Sequence, residues 1–254
     1  MKIVSWNVNS IRSRMERVCA WLHKHQPEVV CLQELKALED QVSFKDIEAL
    51  GYHVQAYGQK AYNGVAVFAR EKPTHVRKGF QDAVDDPQAR CLAVRVYGVD
   101  VVCVYVPNGA AVGTDKYLYK LQWLQRLRGY LETHYTPSDR LVLCGDFNVA
   151  PRDVDVADIE TWKDSVLCHQ DAREALKHVC AWGLEDVSAR FFPEGGVYSW
   201  WDYRQLGFQR NEGLRIDLLL CTQSVVCTDA GVDREERKGD KPSDHAPVWV
   251  CVQP

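Results

Sequence analysis

An α/β protein with two packed sheets flanked by helices is the fold class this chain predicts, on three observations. Eight apolar runs of strand length are rich in Val, Leu and Ile and end at polar or turn residues, as buried strands do. Amphipathic stretches with helical spacing separate some of these runs. No repeat, low-complexity tract or Gly/Pro/Ser-rich linker divides the 254 residues, so one domain spanning 1–254 is the simplest partition. Periodicity gives the mixture of helix and strand but not the strand order.

The strand runs are Lys2 to Trp6, Val29 to Leu32, Val65 to Ala69, Leu92 to Tyr97, Val101 to Val106, Leu141 to Cys144, Ile216 to Leu220 and Val248 to Val252. Met15, Val18, Cys19 and Leu22 mark one apolar helix face; Tyr117, Leu121, Leu124 and Leu127 mark a second. A third helix is expected over Ala172 to Trp182, stopped by Gly183. Pro151 to Gln170 is polar and irregular and reads as a long surface loop, a feature usually tied to function inside a compact domain.

Hydrophobic residues make up 46% of the chain and charged residues 26%, an ordinary soluble composition. No run approaches the roughly 20 apolar residues of a membrane span. Met1-Lys2-Ile3-Val4-Ser5-Trp6 enters an apolar run directly, without a signal-peptide pattern, so a bacterial-type cytoplasmic protein is expected. The net charge of −4 argues against a generally basic nucleic-acid coat. A local basic patch on phosphates stays open. Of the ten cysteines, Cys31, Cys103, Cys144, Cys221 and Cys251 sit inside apolar runs, and no C-x-x-C pair exists. Reduced core thiols are therefore expected rather than disulfides or a zinc site.

The informative feature is a set of polar residues that interrupt the apolar runs. Glu34 ends Val29-Val30-Cys31-Leu32-Gln33; Asp146 and Asn148 end the run from Leu141; Asp217 breaks Leu214 to Leu220; Asp244 and His245 precede the last run. Carboxylates beside buried strands are costly unless something uses them. Phosphodiester hydrolysis would use them, since it needs charge neutralisation, an activated water and a stabilised leaving oxygen. Glu34 is a hard oxygen ligand suited to Mg²⁺, with Mn²⁺ as a substitute; Asn7 would add a carbonyl oxygen and Asp244 a carboxylate. Asp217 is a candidate to orient His245 and raise its pKa. Asp146 would position or deprotonate water, while Asn148 and Tyr105 would donate to a phosphate oxygen. Singly, each has a plain reading: a solvated strand end, an Asx turn, a structural histidine, a strand aromatic. Their joint occurrence carries the argument.

Trp6-Asn7-Val8-Asn9-Ser10-Ile11-Arg12, Leu32-Gln33-Glu34-Leu35-Lys36, Asn63-Gly64-Val65-Ala66, Tyr105-Val106-Pro107-Asn108-Gly109, Gly145-Asp146-Phe147-Asn148, Trp201-Asp202-Tyr203-Arg204, Gly213-Leu214-Arg215-Ile216-Asp217 and Ser243-Asp244-His245-Ala246-Pro247 occur in that order. Together they resemble the exonuclease III family of abasic-site endonucleases, within the endonuclease/exonuclease/phosphatase superfamily, from residue 2 to about 250. The resemblance implies a four-layer αββα sandwich, two mixed β-sheets face to face with helices outside. It implies hydrolysis of DNA 5′ to an abasic site and removal of nucleotides or blocks from 3′ ends. Double-stranded DNA with abasic sites, nicks or blocked 3′ ends would be the partner of a monomeric enzyme. Glu34, Asn7 and Asp244 would surround the metal, Asp146 would handle water, and Asn148, Tyr105 and the Asp217–His245 pair would bind the scissile phosphate; no catalytic position of the pattern is missing. The apolar pocket for a flipped-out sugar maps to Trp200, Leu214 and Ile216, whose plain reading is core packing. Arg90, Asn108, Lys116 and Arg204 are the phosphate contacts best placed by motif, Lys36 and Lys60 weaker ones.

Two departures stand out. Where many relatives carry a Pro-Glu-Glu-Arg-like segment, this chain has His169-Gln170-Asp171-Ala172-Arg173. Six residues before the Arg, relatives often place Gly or Ser against DNA; here that position is Leu167, which would bias the enzyme toward 3′-end processing by crowding intact duplex. The loop after Asn108 offers Gly109, Ala110, Ala111 and Val112 in place of a DNA-inserting arginine. Two rival readings remain: a lipid or inositol phosphatase or sphingomyelinase on the same sandwich, which should lack Trp201-Asp202-Tyr203-Arg204, and a binding protein that has lost catalysis, which should have eroded the carboxylates.

Overall fold

In a computed structural model, residues 1–253 are described. The chain forms β1 (Lys2–Asn7), β2 (Val29–Gln33), β3 (His53–Tyr57), β4 (Val65–Ala69), β5 (Thr74–Lys78), β6 (Cys91–Val96), β7 (Val99–Tyr105), β8 (Leu141–Asp146), β9 (Leu184–Asp186), β10 (Asp217–Thr222), β11 (Cys227–Val232) and β12 (Val248–Val252). They make two six-stranded sheets, ordered β11-β12-β1-β2-β4-β3 and β5-β6-β7-β8-β10-β9. The pairs β1/β2 and β7/β8 are parallel and the other neighbours antiparallel, so both sheets are mixed. A parallel pair needs a crossover, and each has one: the helix Ile11–His25 between β1 and β2, and Asp115–His134 between β7 and β8.

The burial of alternate side chains shows the layers. Ile3, Cys31, Val65 and Val67 of the first sheet pack on Leu92, Cys103, Val142, Cys144 and Leu219 of the second, forming the core between the sheets. The outer face of the first sheet meets Val18, Trp21 and Leu22 of the first helix. The outer face of the second meets Trp123, Leu124 and Leu127, together with Ala172, Leu176 and Val179 of the helix Gln170–Cys180. The result is the four-layer αββα sandwich. Gly145 makes the second parallel pair possible: its φ is +155°, and a Cβ there would lie 1.8 Å from the Val104 carbonyl oxygen.

Three expectations need correction. The strands β3, β5, β9 and β11 lack continuous apolar runs because all four are sheet edges with one neighbour each. The segment Pro151 to Gln170 is not simply a polar surface loop. It contains a 3₁₀ turn (Asp153–Asp155) and a short helix (Ile159–Trp162), and it buries Val156, Val166, Leu167 and Cys168 in the outer core. Arg215 reaches from the neighbourhood of β10 into this segment, giving Nε–H to Asp155 Oδ1 at 2.9 Å and Nη2–H to Oδ2 at 2.7 Å. The third helix starts two residues earlier than expected and ends at Cys180.

Candidate active site

Parallel strands deliver their C-terminal ends to one side of a sheet, and antiparallel neighbours deliver their N-terminal ends there. Asn7 ends β1, Glu34 follows β2, Tyr105 ends β7 and Asp146 ends β8, whereas Asp217 starts β10 and His245 lies ahead of β12. In the second sheet Asp146 pairs directly with both Tyr105 and Asp217. The fold therefore gathers residues from across the chain at one end of the sandwich.

Asn7 joins the two sheets. Its Nδ2–H donates to Glu34 Oε1 at 2.8 Å and to Asp146 Oδ2 at 2.9 Å, while its Oδ1 accepts the Asn9 backbone N–H at 2.9 Å. This corrects the expected carbonyl ligand: Asn7 turns its amide NH₂ to the carboxylates and orients them. Glu34, in the left-handed region at φ 54°, accepts the Tyr105 hydroxyl at 2.9 Å and pairs with Lys36 at 2.7 Å. Burial alone would raise its pKa, but Lys36 and the Asn7 amide bring it below the ordinary value. Tyr105 is held well above its ordinary pKa by burial and by Glu34, so it remains a phenol that donates.

Asp146 is buried. Burial, opposed by His245 and reinforced by Asp217 and Glu34, pushes its pKa up to about 7. His245 places Nδ1 2.8 Å from Asp217 Oδ2 and Nε2 3.7 Å from Asp146 Oδ2. Burial would depress its pKa, yet Asp217 first and Asp146 second raise it to about 10, which makes it an imidazolium at neutral pH. Ser199 holds Asp217 in place: its hydroxyl donates to Oδ2 at 2.6 Å while accepting the Asp217 backbone N–H at 3.0 Å. Asn148, at φ 50°, donates Nδ2–H to the Val106 carbonyl at 3.0 Å and accepts Asn108 Nδ2–H at 3.0 Å.

Ligand atoms of Glu34, Asp146 and His245 all lie within 4.8 Å of one another. Asp244 is outside this cluster among the described residues; it accepts Asn9 Nδ2–H at 2.9 Å and the Trp200 indole N–H at 3.0 Å. Burial works against its ionisation, but His245 and these donors lower its pKa. Two hard carboxylates converging on one point, Glu34 and the buried Asp146, are a donor set that fits a divalent cation.

The expected sugar pocket needs correction. Leu214 and Ile216 are 0% and 1% exposed and belong to the core. Only the Trp200 ring reaches the surface, edge-on to Trp162 at 5.5 Å between centroids. Leu167 is likewise a core residue at 4% exposure, its carbonyl accepting the Ala150 N–H at 2.7 Å. It does not project as the steric filter expected against duplex DNA.

Arg90, Asn108 and Lys116 line one cleft of about 450 Å³ beside Tyr105, together with Tyr62. Arg90 is mostly buried; it donates to the Tyr105 carbonyl at 3.0 Å and stacks over that ring at 4.6 Å, so it supports Tyr105. Arg204 stands in solvent at 84% exposure, paired with Asp202 at 2.6 Å. Lys36 is drawn to Glu34, and Lys60 is exposed. Asn9 and Ser199 escaped the sequence reading; Asn9 lay inside a quoted motif, but nothing local marks Ser199.

A family model described as "Endonuclease/Exonuclease/phosphatase family" matches residues 4–245. Exodeoxyribonuclease III of Haemophilus influenzae is 34% identical, over 98% of this chain and 99% of its own. An AP endonuclease from Archaeoglobus fulgidus superposes with a TM-score of 0.97 at 37% identity, covering 100% of both chains. A 3′-5′ exonuclease from Neisseria meningitidis does so with a TM-score of 0.95 at 40% identity, again over 100% of both. With its two mixed sheets and the carboxylate–histidine cluster at their shared end, the chain belongs to the endonuclease/exonuclease/phosphatase family and, within it, to the exodeoxyribonuclease III group of nucleases.

Proposed function

We propose that this chain is a Mg²⁺-dependent DNA repair nuclease, active as a one-domain monomer in the cytoplasm, that hydrolyses phosphodiesters at abasic sites and at 3′ ends of double-stranded DNA. The observation that carries the proposal is the Glu34–Asp146–His245 cluster with ligand atoms within 4.8 Å, backed by Asp217. Relatives named as an AP endonuclease and a 3′-5′ exonuclease, similar over the whole chain, support the substrate class. No helix among the described residues is long and apolar enough to cross a membrane.

Glu34 and Asp146 would hold the cation, with Asp244 one residue from His245 as a further carboxylate at the rim. A bound Mg²⁺ supplies Lewis-acid charge against the anionic phosphate. Asp146 takes the proton of the attacking water. His245, its imidazolium form disfavoured by burial but favoured by Asp217 first and Asp146 second, is suited to donate a proton rather than to take one. It donates Nε2–H to a phosphate oxygen, fixed in that role by Asp217 at Nδ1. Tyr105, kept neutral by burial, and the Asn148 amide, whose NH₂ rests on the Val106 carbonyl and on Asp146 Oδ2, would be further donors toward charge that grows in the transition state. Arg90, Asn108 and Lys116 would track the flanking backbone.

The test uses one duplex with an internal abasic analogue and one with a nick bearing a 3′-phosphate, each with wild type, Asp146→Ala and an EDTA control. Mg²⁺-dependent processing of both by wild type alone is the expected result. No metal-dependent cleavage of either overturns the proposal and favours a binding protein.

A further inference from the structure

Lys120 lies on the second turn of the helix Asp115–His134 and is 0% exposed. Burying an ammonium is costly unless its donors are all used. Here Nζ donates to the carbonyl oxygens of Asn108 at 3.2 Å, Asn148 at 2.6 Å and Val166 at 2.6 Å. An ammonium has three N–H donors and a neutral amine two, so three carbonyls call for the charged form. No carboxylate pairs with it among the described residues. Burial lowers its pKa to about 7, with Asp146 pulling the other way.

The three carbonyls come from three separate segments: the loop after β7, the loop after β8, and the end of the 151–170 segment. Two belong to residues of the site, and the side chains of those two are joined, Asn108 Nδ2–H to Asn148 Oδ1 at 3.0 Å. The ammonium grips both residues from their backbone side while their amides meet on the other. Asn148 also sits at φ 50°, a conformation that a non-glycine residue keeps only where its surroundings hold it. Gly109, at φ +95°, lets the first loop lie against the lysine stem, since a Cβ there would approach Lys120 Cδ to 3.1 Å.

We propose that Lys120 is a positioning residue: its ammonium, through three backbone carbonyls, sets the Asn148 amide toward the scissile phosphate and holds Asn108 in register beside it. This rests on the nuclease reading above. It assigns a role in the reaction to a buried group that touches no substrate.

A double-mutant cycle tests it, with single-turnover cleavage of the 3′-phosphate nick duplex in Mg²⁺ by wild type, Lys120→Met, Asn148→Ala and the double variant. Wild-type cleavage is the control, and its failure would count against the nuclease reading alone. The expected result is a cleavage rate at least about 30-fold lower in Lys120→Met, with the DNA concentration for half-saturation within about threefold of wild type, and a further loss of under about threefold when Lys120→Met is added to Asn148→Ala. Equal losses in both backgrounds, or a lower melting temperature with an unchanged rate, would overturn the proposal. Should Lys120→Met fail to fold, Lys120→Gln, which retains an NH₂, goes through the same cycle with the same deciding outcomes.

Discussion

Replacing Asp217 by asparagine removes a negative charge 2.8 Å from His245 Nδ1 and leaves a hydrogen-bond acceptor in its place. At an effective dielectric of about 20, a charge pair at that separation is worth about 6 kcal/mol, or about 4 pKa units. The imidazole pKa is raised from 6.5 to about 10 in the native protein, so the variant should titrate at about 6. The sign follows directly. Wild type keeps its imidazolium donor until the pH rises through about 10, and the variant loses it as the pH rises through about 6. Around pH 8 only about 1% of the variant would carry the donor, so its single-turnover cleavage should be about 100-fold below wild type there and within about tenfold of wild type at the same pH near 5.5, since the titration of Asp146 slows both proteins in acid. Stability follows the same linkage. The His245 contribution is fully present below 6.5 and fades as the pH climbs toward 10. The assay is the pH–rate profile of both proteins on the abasic duplex, with the urea midpoint measured at each pH. A loss equal at every pH, or a basic limb that does not move, would refute the assignment of His245 as a cationic donor held by Asp217.

Two further outcomes are expected. Asp155→Ala leaves Arg215, 2% exposed, short of its main partner; breaking a buried pair from one side costs about 3–5 kcal/mol, seen as a melting temperature about 10 °C lower. Arg152 and Arg215 outweigh burial and lower the Asp155 pKa. The deficit should therefore be full above the ordinary carboxylate pKa and vanish as the pH falls through the lowered one; a deficit unchanged in acid would contradict the ion-pair origin. Leu167→Ala should cost about 2–4 kcal/mol in urea unfolding, as a core truncation does, and leave the ratio of internal abasic incision to 3′ trimming unchanged; a shift of that ratio toward incision would restore Leu167 as a filter at the DNA surface.

What the sequence revealed and what it hid divide along physical lines. The eight apolar runs became the eight interior strands, because an interior strand is buried on its faces and flanked on both sides. The four edge strands went unread for the opposite reason: Thr74–Lys78 is largely exposed and Cys227–Val232 only partly buried, so hydropathy does not mark them. Glu34, Asp146, Asp217 and His245 were legible because each interrupts or borders a run that would otherwise be apolar. Lys120 and Ser199 were not, since their partners are backbone atoms and a carboxylate distant in sequence, and nothing near them signals it. Leu167, Leu214 and Ile216 show a different limit. An apolar side chain reads the same in a sequence whether it lines a pocket or fills a core, and only packing decides.

The most direct test of the central claim is a Mg²⁺ titration of single-turnover cleavage of the abasic duplex by wild type and Glu34→Gln. The account predicts no cleavage without the cation, saturation with it in wild type, and at least about tenfold more Mg²⁺ needed once one of the two converging carboxylates is gone. Full cleavage in EDTA, or identical Mg²⁺ curves for the two proteins, would contradict a cation held by Glu34 and Asp146 at this site.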